Sequence, residues 1–214
     1  MRTLSKILIS LLLITFLLLN LHQLWFAILW LVKHLSFYKW LGVGIAAYFV
    51  LRLLFRKNEE WLQTQTHEWT HVFVALLFGH KIHYSYAQEG SGEMSHSGRF
   101  GGLFISLAPY CFPIFTYLFL LMRIIGSWQS LYIFDILIGF TAAFHAHCFR
   151  KQTGPYQPDI QAYGLPLSYL FITAFLLFNA CVIVLSVKMG IVNAYERLIS
   201  QYWKDIIMVW KSFS

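Results

Sequence analysis

Five apolar stretches, each close to or above the ~20 residues that cross a hydrocarbon core as a helix, divide this chain. They run approximately from Ile7 to Val32, Tyr38 to Phe55, Leu103 to Ile125, Leu131 to Phe149 and Leu165 to Val187. In lipid every backbone N–H and C=O must find its partner inside the protein, so apolar spans of this length fold as helices. Composition excludes a soluble domain, with 58% hydrophobic and 12% charged residues and a mean hydropathy of +0.61. The pattern predicts an all-α polytopic membrane protein of about five to six transmembrane or re-entrant helices. The first span follows Arg2 and Lys6 but runs past the length of a signal-peptide core without a small-x-small cleavage site, which reads as a retained anchor.

The formal net charge of +7 does not describe a nucleic-acid footprint. The basic residues stand singly or in pairs between apolar spans, as juxtamembrane anchors do, and the lipid bilayer is the expected partner. Cys111, Cys148 and Cys181 are widely spaced and imply no disulfide framework. After the last span, Ile191, Tyr195, Leu198, Tyr202, Ile206 and Trp210 recur at three- and four-residue steps. Glu196, Arg197, Lys204 and Lys211 lie elsewhere around that helix, so residues 188–214 read as an interfacial amphipathic helix.

A more polar region, Arg56 to Gly102, separates the second and third spans. Its first part, Asn58 to Phe78, is polar and then apolar, the pattern of a helix that enters the membrane only in part. Its second part, His83 to Gly98, alternates short polar and apolar runs around Gly90, Gly92 and Gly98, a hairpin signal. Between the polar and apolar halves of the helix stands His67-Glu68-Trp69-Thr70-His71, an H-E-x-x-H pentad. Positions i and i+4 share one helix face, so both imidazoles can bind one Zn²⁺ while Glu68 reaches a water that the metal activates. The metzincin extension needs Gly and His where Val74 and Leu77 stand, and no glutamate is placed as a thermolysin-like third ligand, Glu89, Glu93 and Glu196 being candidates by type alone.

Ala75, Gly79 and Ile82 extend the pentad to H-E-x-x-H-x-x-x-A-x-x-x-G-x-x-I, followed by the glycine-bearing stretch. Over these residues the chain resembles the site-2-protease family of intramembrane zinc metalloproteases. The resemblance implies zinc ligands at His67 and His71, a general base at Glu68, a small membrane-associated β-hairpin after the motif helix, and membrane-spanning proteins or peptides as substrates. It also implies an aspartate third ligand from an N-P-D-G motif. Gln157-Pro158-Asp159-Ile160 keeps the Pro-Asp pair without the Asn and Gly, so Asp159 is the expected ligand. Residues 1–57 then form N-terminal anchor helices and 58–187 the metalloprotease core.

Other polar residues compete for roles. His145 and His147 end the fourth span a short loop before Asp159, and either an interfacial hydrogen bond or a contact with the metal site is open to them. His80, His83 and His96 read as polar-loop residues, His96 with the option of facing the site. Asp135, costly within an apolar span, reads as a helix–helix hydrogen bond or an interfacial residue. Two rival functions stand beside proteolysis. A membrane di-iron hydroxylase needs H-x-x-H-H clusters, which the nine histidines do not form, and a catalytically inactive metal-binding scaffold would fit the altered N-P-D-G motif.

Two ligands of one ion lie at one depth, which requires an even number of crossings between His67 and Asp159. The motif helix and hairpin must therefore re-enter on one side. Arg2, Lys6, Arg52, Arg56, Lys57, Lys81, Arg99, Arg150 and Lys151 then share a side, against Lys33, Lys39, Arg123 and Lys188 on the other. By the positive-inside rule the active site is expected near the cytoplasmic face.

Overall fold

The computed structural model describes residues 3–54, 59–88, 91–127 and 130–213. Readings that rest on Arg2, Phe55, Arg56, Lys57, Asn58, Glu89 and Gly90 lie outside these residues. The elements are α1 (Thr3–Lys33), a 3-10 turn (Leu35–Tyr38), α2 (Lys39–Leu54), α3 (Glu59–Leu77), β1 (Lys81–Gln88), β2 (Ser91–Ser97), α4 (Gly102–Cys111), α5 (Ile114–Ile125), α6 (Leu131–Gln152), α7 (Pro158–Tyr163), α8 (Leu165–Met189) and α9 (Ile191–Phe213). The expected helical architecture with one antiparallel hairpin is observed. Among the described residues, 4 helices are long and apolar enough to cross a membrane: α1, α2 with its preceding turn, α6 and α8. The motif helix α3 is not one of them.

The third apolar stretch departs from expectation, because it is two helices, α4 and α5, bent by 83° at a short break. Pro113 has no N–H to give the helix ladder, and the chain turns there. The Cys111 carbonyl, released from the ladder, accepts a hydrogen bond from Asn179 Nδ2 at 2.7 Å. The Asn179 side-chain oxygen accepts from Tyr117, whose own oxygen accepts from the Tyr195 hydroxyl at 3.1 Å. The polar group freed by the break is thus satisfied within the protein, which explains an asparagine in the middle of the apolar α8.

Small residues allow α2 and α6 to touch backbone to backbone, as membrane helices do. A Cβ on Gly44 would lie 1.9 Å from the Ile136 carbonyl oxygen, and one on Gly139 would lie 2.1 Å from that of Leu41. α1 lies along α8, with Leu13 packed among Leu167 and Phe171 and Asn20 Nδ2 donating to the Ala174 carbonyl at 3.2 Å. The start of α9 is more than a surface helix, since Ile191, Ala194 and Leu198 are buried with Ala27, Leu120 and Ile138. Val192, Ile199, Trp203 and Trp210 remain exposed on its flank, and Asp205 accepts a hydrogen bond from Gln23 Nε2 at 3.0 Å.

The ends of the bundle can be told apart by their polar contacts. At one end Arg123 Nε pairs with Asp135 Oδ1 at 2.9 Å, and its Nη2 donates to the Val187 carbonyl at 2.7 Å. Asp135 is therefore the helix–helix partner the sequence suggested. The end of α5, the start of α6 and the end of α8 meet there. At the other end α4 begins, α6 finishes and α7 lies, so α4–α5 and α6 run out and back between the motif helix and Asp159.

Candidate metal centre

α3 is fixed at both ends. Glu59 and Glu60 occupy its first turn, where carboxylates favour the helix dipole. Glu59 Oε1 is met by Arg52 Nε at 2.8 Å, His147 Nε2 at 2.6 Å and Gln63 Nε2 at 3.0 Å, tying α3 to the ends of α2 and α6. Burial opposes its charge, but Arg52, Lys151 and His147 hold its carboxyl below the usual range. At the other end Gly79 takes a left-handed φ of 71°. His80 N donates to the Ala75 carbonyl and Gly79 N to that of Leu76, both at 2.9 Å, which is the Schellman closure. Gly79 thus stops the helix and launches β1.

His67 and His71 lie one turn apart on α3 with ring centroids 4.8 Å apart. α7 brings in the third group: Pro158 opens it, and Asp159 stands in its first turn rather than in an open loop. Asp159 Oδ2 lies 3.5 Å from His67 Nε2 and 3.4 Å from His71 Nε2. Two bonds of about 2.0–2.1 Å at a tetrahedral angle separate their ligand atoms by about 3.3–3.4 Å, so these two separations are compatible with shared coordination of one metal ion. The three ligand atoms lie within 4.8 Å of one another, and among the described residues this is the group able to hold a metal ion.

The ligand orientations have causes in the fold. His71 Nδ1–H donates to the Ile105 carbonyl at 2.7 Å, leaving the Nε2 lone pair for a metal. That carbonyl is free because its helical partner, four residues on, is Pro109, which has no N–H. His67 Nδ1 is buried without a hydrogen bond among the described residues, and Asp159, with Gln152 after it, favours the charged form of the ring. Tyr110 Oη donates to Asp159 Oδ2 at 3.3 Å.

Charge follows the same arrangement. Burial holds His67 below the ordinary histidine value, with the His71 charge acting in the same direction. His71 is also penalised by burial, but its hydrogen bond to Asp159, the Asp159 charge and the Ile105 carbonyl raise it above that value. Asp159 is held far below the usual carboxylate range, since its bonds to the two imidazoles outweigh the cost of burial. Glu68, 6% exposed, is pushed up by burial and by the Asp159 and Glu93 charges, His71 opposing. A carboxylate so raised is suited to taking up a proton.

These residues face a cavity of about 610 Å³ that Gly92, Met94 and His96 of β2 roof and Gln63, Thr64 and Gln157 flank. β2 approaches the motif helix closely here, since a Cβ on Gly92 would meet Glu68 Oε1 at 2.6 Å and displace that carboxylate. Of the other candidates, His147 belongs to the Glu59 cluster, and His83 is exposed at the irregular step of β1. His145 is outside the metal group, and its Nε2 is buried without a hydrogen bond among the described residues. His80 differs most from expectation, being 6% exposed and bonded rather than a free loop residue. Sequence reading missed Ile105 and Tyr110, whose only signal was a proline four residues after the one and a tyrosine inside an apolar span. No known protein family, curated protein or solved structure matches the chain.

Proposed function

We propose that this protein is an intramembrane zinc metalloprotease that hydrolyses peptide bonds in or beside membrane-spanning substrates. The observation that carries this reading is the convergence of His67, His71 and Asp159 on one point, with Glu68 beside them on a shared cavity. Two histidines and a carboxylate from the protein leave a fourth position open, the arrangement of catalytic rather than structural zinc sites. When bound, the ion polarises the scissile carbonyl and makes a water nucleophilic near neutral pH.

Glu68 takes the proton of the attacking water and passes it to the leaving amine. Asp159 and the two imidazoles hold the centre, with His71 kept in its tautomer by the Ile105 carbonyl. The polar side chains Glu60, Gln63 and Thr64 line the cavity and supply a wetted approach from the end of the bundle. The two-stranded hairpin has unpaired edges on which an unwound substrate segment can add as a strand. By the basic residues Lys81, Arg99, Arg150 and Lys151 around it, the site faces the cytoplasm.

The test is to purify the protein with and without Glu68→Gln, measure bound zinc in both, and compare membrane proteomes for fragments that accumulate or vanish. Zinc at about one equivalent in both, with fragments made only by the unaltered protein, is the expected outcome. Equal zinc and no difference in fragments supports a metal-binding scaffold instead, and stoichiometric iron excludes zinc proteolysis.

A further inference from the structure

The roof of the cavity carries a histidine pair that the chemistry above does not use. His80 Nε2 lies 2.6 Å from the Phe100 carbonyl oxygen, and His80 Nδ1 lies 2.6 Å from His96 Nδ1. A carbonyl only accepts, so the first bond requires the His80 proton on Nε2. With His80 neutral, its Nδ1 is then an acceptor and the His96 proton must sit on Nδ1. The opposite edge of the His96 ring, Nε2, is left as a lone pair, and His96 lines the cavity while His80 does not.

The pair is built into the fold. His80 follows the Schellman turn that ends the motif helix, His96 pairs with Ile82 across the hairpin, and Gly98 makes room, since a Cβ there would meet the His80 ring at 2.1 Å. Gly92, Met94 and His96 occupy alternate positions of β2 and so share the face toward α3. Gly92 touches Glu68, and His96 stands four residues further along the same strand face. Burial and the neighbouring imidazoles of His71 and His83 hold His96 below the ordinary histidine value, in keeping with a neutral ring.

Resting on the metalloprotease reading, we propose that His96 Nε2 is a fixed hydrogen-bond acceptor for a backbone N–H of the bound substrate, with His80 as the positioning residue that holds its tautomer. A peptide laid across the metal offers its carbonyl to the ion and must place its amide N–H somewhere. An acceptor on the roof decides which way the peptide faces.

The test uses the full chain in detergent, loaded with Co²⁺ in place of zinc, and follows the cobalt visible spectrum during titration with acetohydroxamate and with N-methylacetohydroxamate. Both probes chelate the metal, but only the first has an N–H. In the unaltered protein acetohydroxamate should bind more tightly, and His96→Phe should reduce that preference by about fivefold to tenfold. His96→Gln, which keeps an acceptor oxygen, should restore part of it, and His80→Phe should erode it. An unchanged preference in His96→Phe overturns the proposal, and so does loss of the cobalt spectrum in that variant, which makes His96 a metal ligand. Absence of a cobalt spectrum in the unaltered protein overturns the metal centre itself, a result distinct from either.

Discussion

Asp159 and Asp135 are both carboxylates within the helical body, yet their partners give them different chemistry. Asp159 faces two imidazoles, whereas Asp135 is neutralised by Arg123 at the far end of the bundle. Asp159→Ala should therefore lower metal affinity well beyond Asp135→Ala, by more than the about 10–100-fold that loss of an outer-shell partner costs, as read by competition with a chelator. His67→Ala and His71→Ala should do the same, while Glu68→Gln should retain the metal and lose at least about 100-fold in hydrolysis. At this scale the pentad was legible because helix periodicity alone places i and i+4 together. Asp159 was legible only through the retained Pro-Asp pair. The His80–His96 bond was not, because it depends on a hairpin register that has an irregular step between Ile82 and Tyr84.

Helices and strands set the site by what they fail to complete. The break between α4 and α5 was invisible in a continuously apolar stretch, since local hydropathy does not register a turn whose freed carbonyl is met by Asn179 from another helix. Pro109 acts similarly one turn earlier, exposing the Ile105 carbonyl to His71. Pro109→Ala would return an N–H to compete for that carbonyl, and metal affinity should fall by about 10–100-fold with the helix content by circular dichroism unchanged. The α2–α6 contact is set by sterics alone. Gly44→Ala or Gly139→Ala should destabilise by about 1–3 kcal/mol through overpacking, seen as a lower thermal midpoint in detergent with metal affinity retained. Glu59 adds a pH-dependent clamp on α3. Its folded pKa is depressed, so its contribution is present above about pH 4.3, the ordinary glutamate value, and is lost as pH falls through the folded value. Glu59→Gln should flatten the acid limb of stability.

Across the whole molecule, four of the five expected apolar stretches are single long helices, because a run of that length in lipid leaves the backbone few choices, whereas the hairpin was legible in its glycines and short alternation. The docking of α9 was not, since its buried residues Ile191 and Leu198 lie on the same periodic pattern that marks a surface helix and Ala194 stands outside it. In the proposed topology two passages of the chain separate α3 from α7, so cysteines at residues 88 and 155 should label from one side of the membrane and one at residue 35 from the other. Labelling of 88 and 155 from opposite sides would contradict the shared centre. The same order of elements has a consequence in time. During synthesis His67 and His71 emerge long before Asp159, with α4, α5 and α6 still to be made between them, and the candidate centre stays incomplete throughout. On the proposed function, a chain stopped before Pro158 should hold metal weakly and cut nothing, because its third candidate ligand has not yet been made.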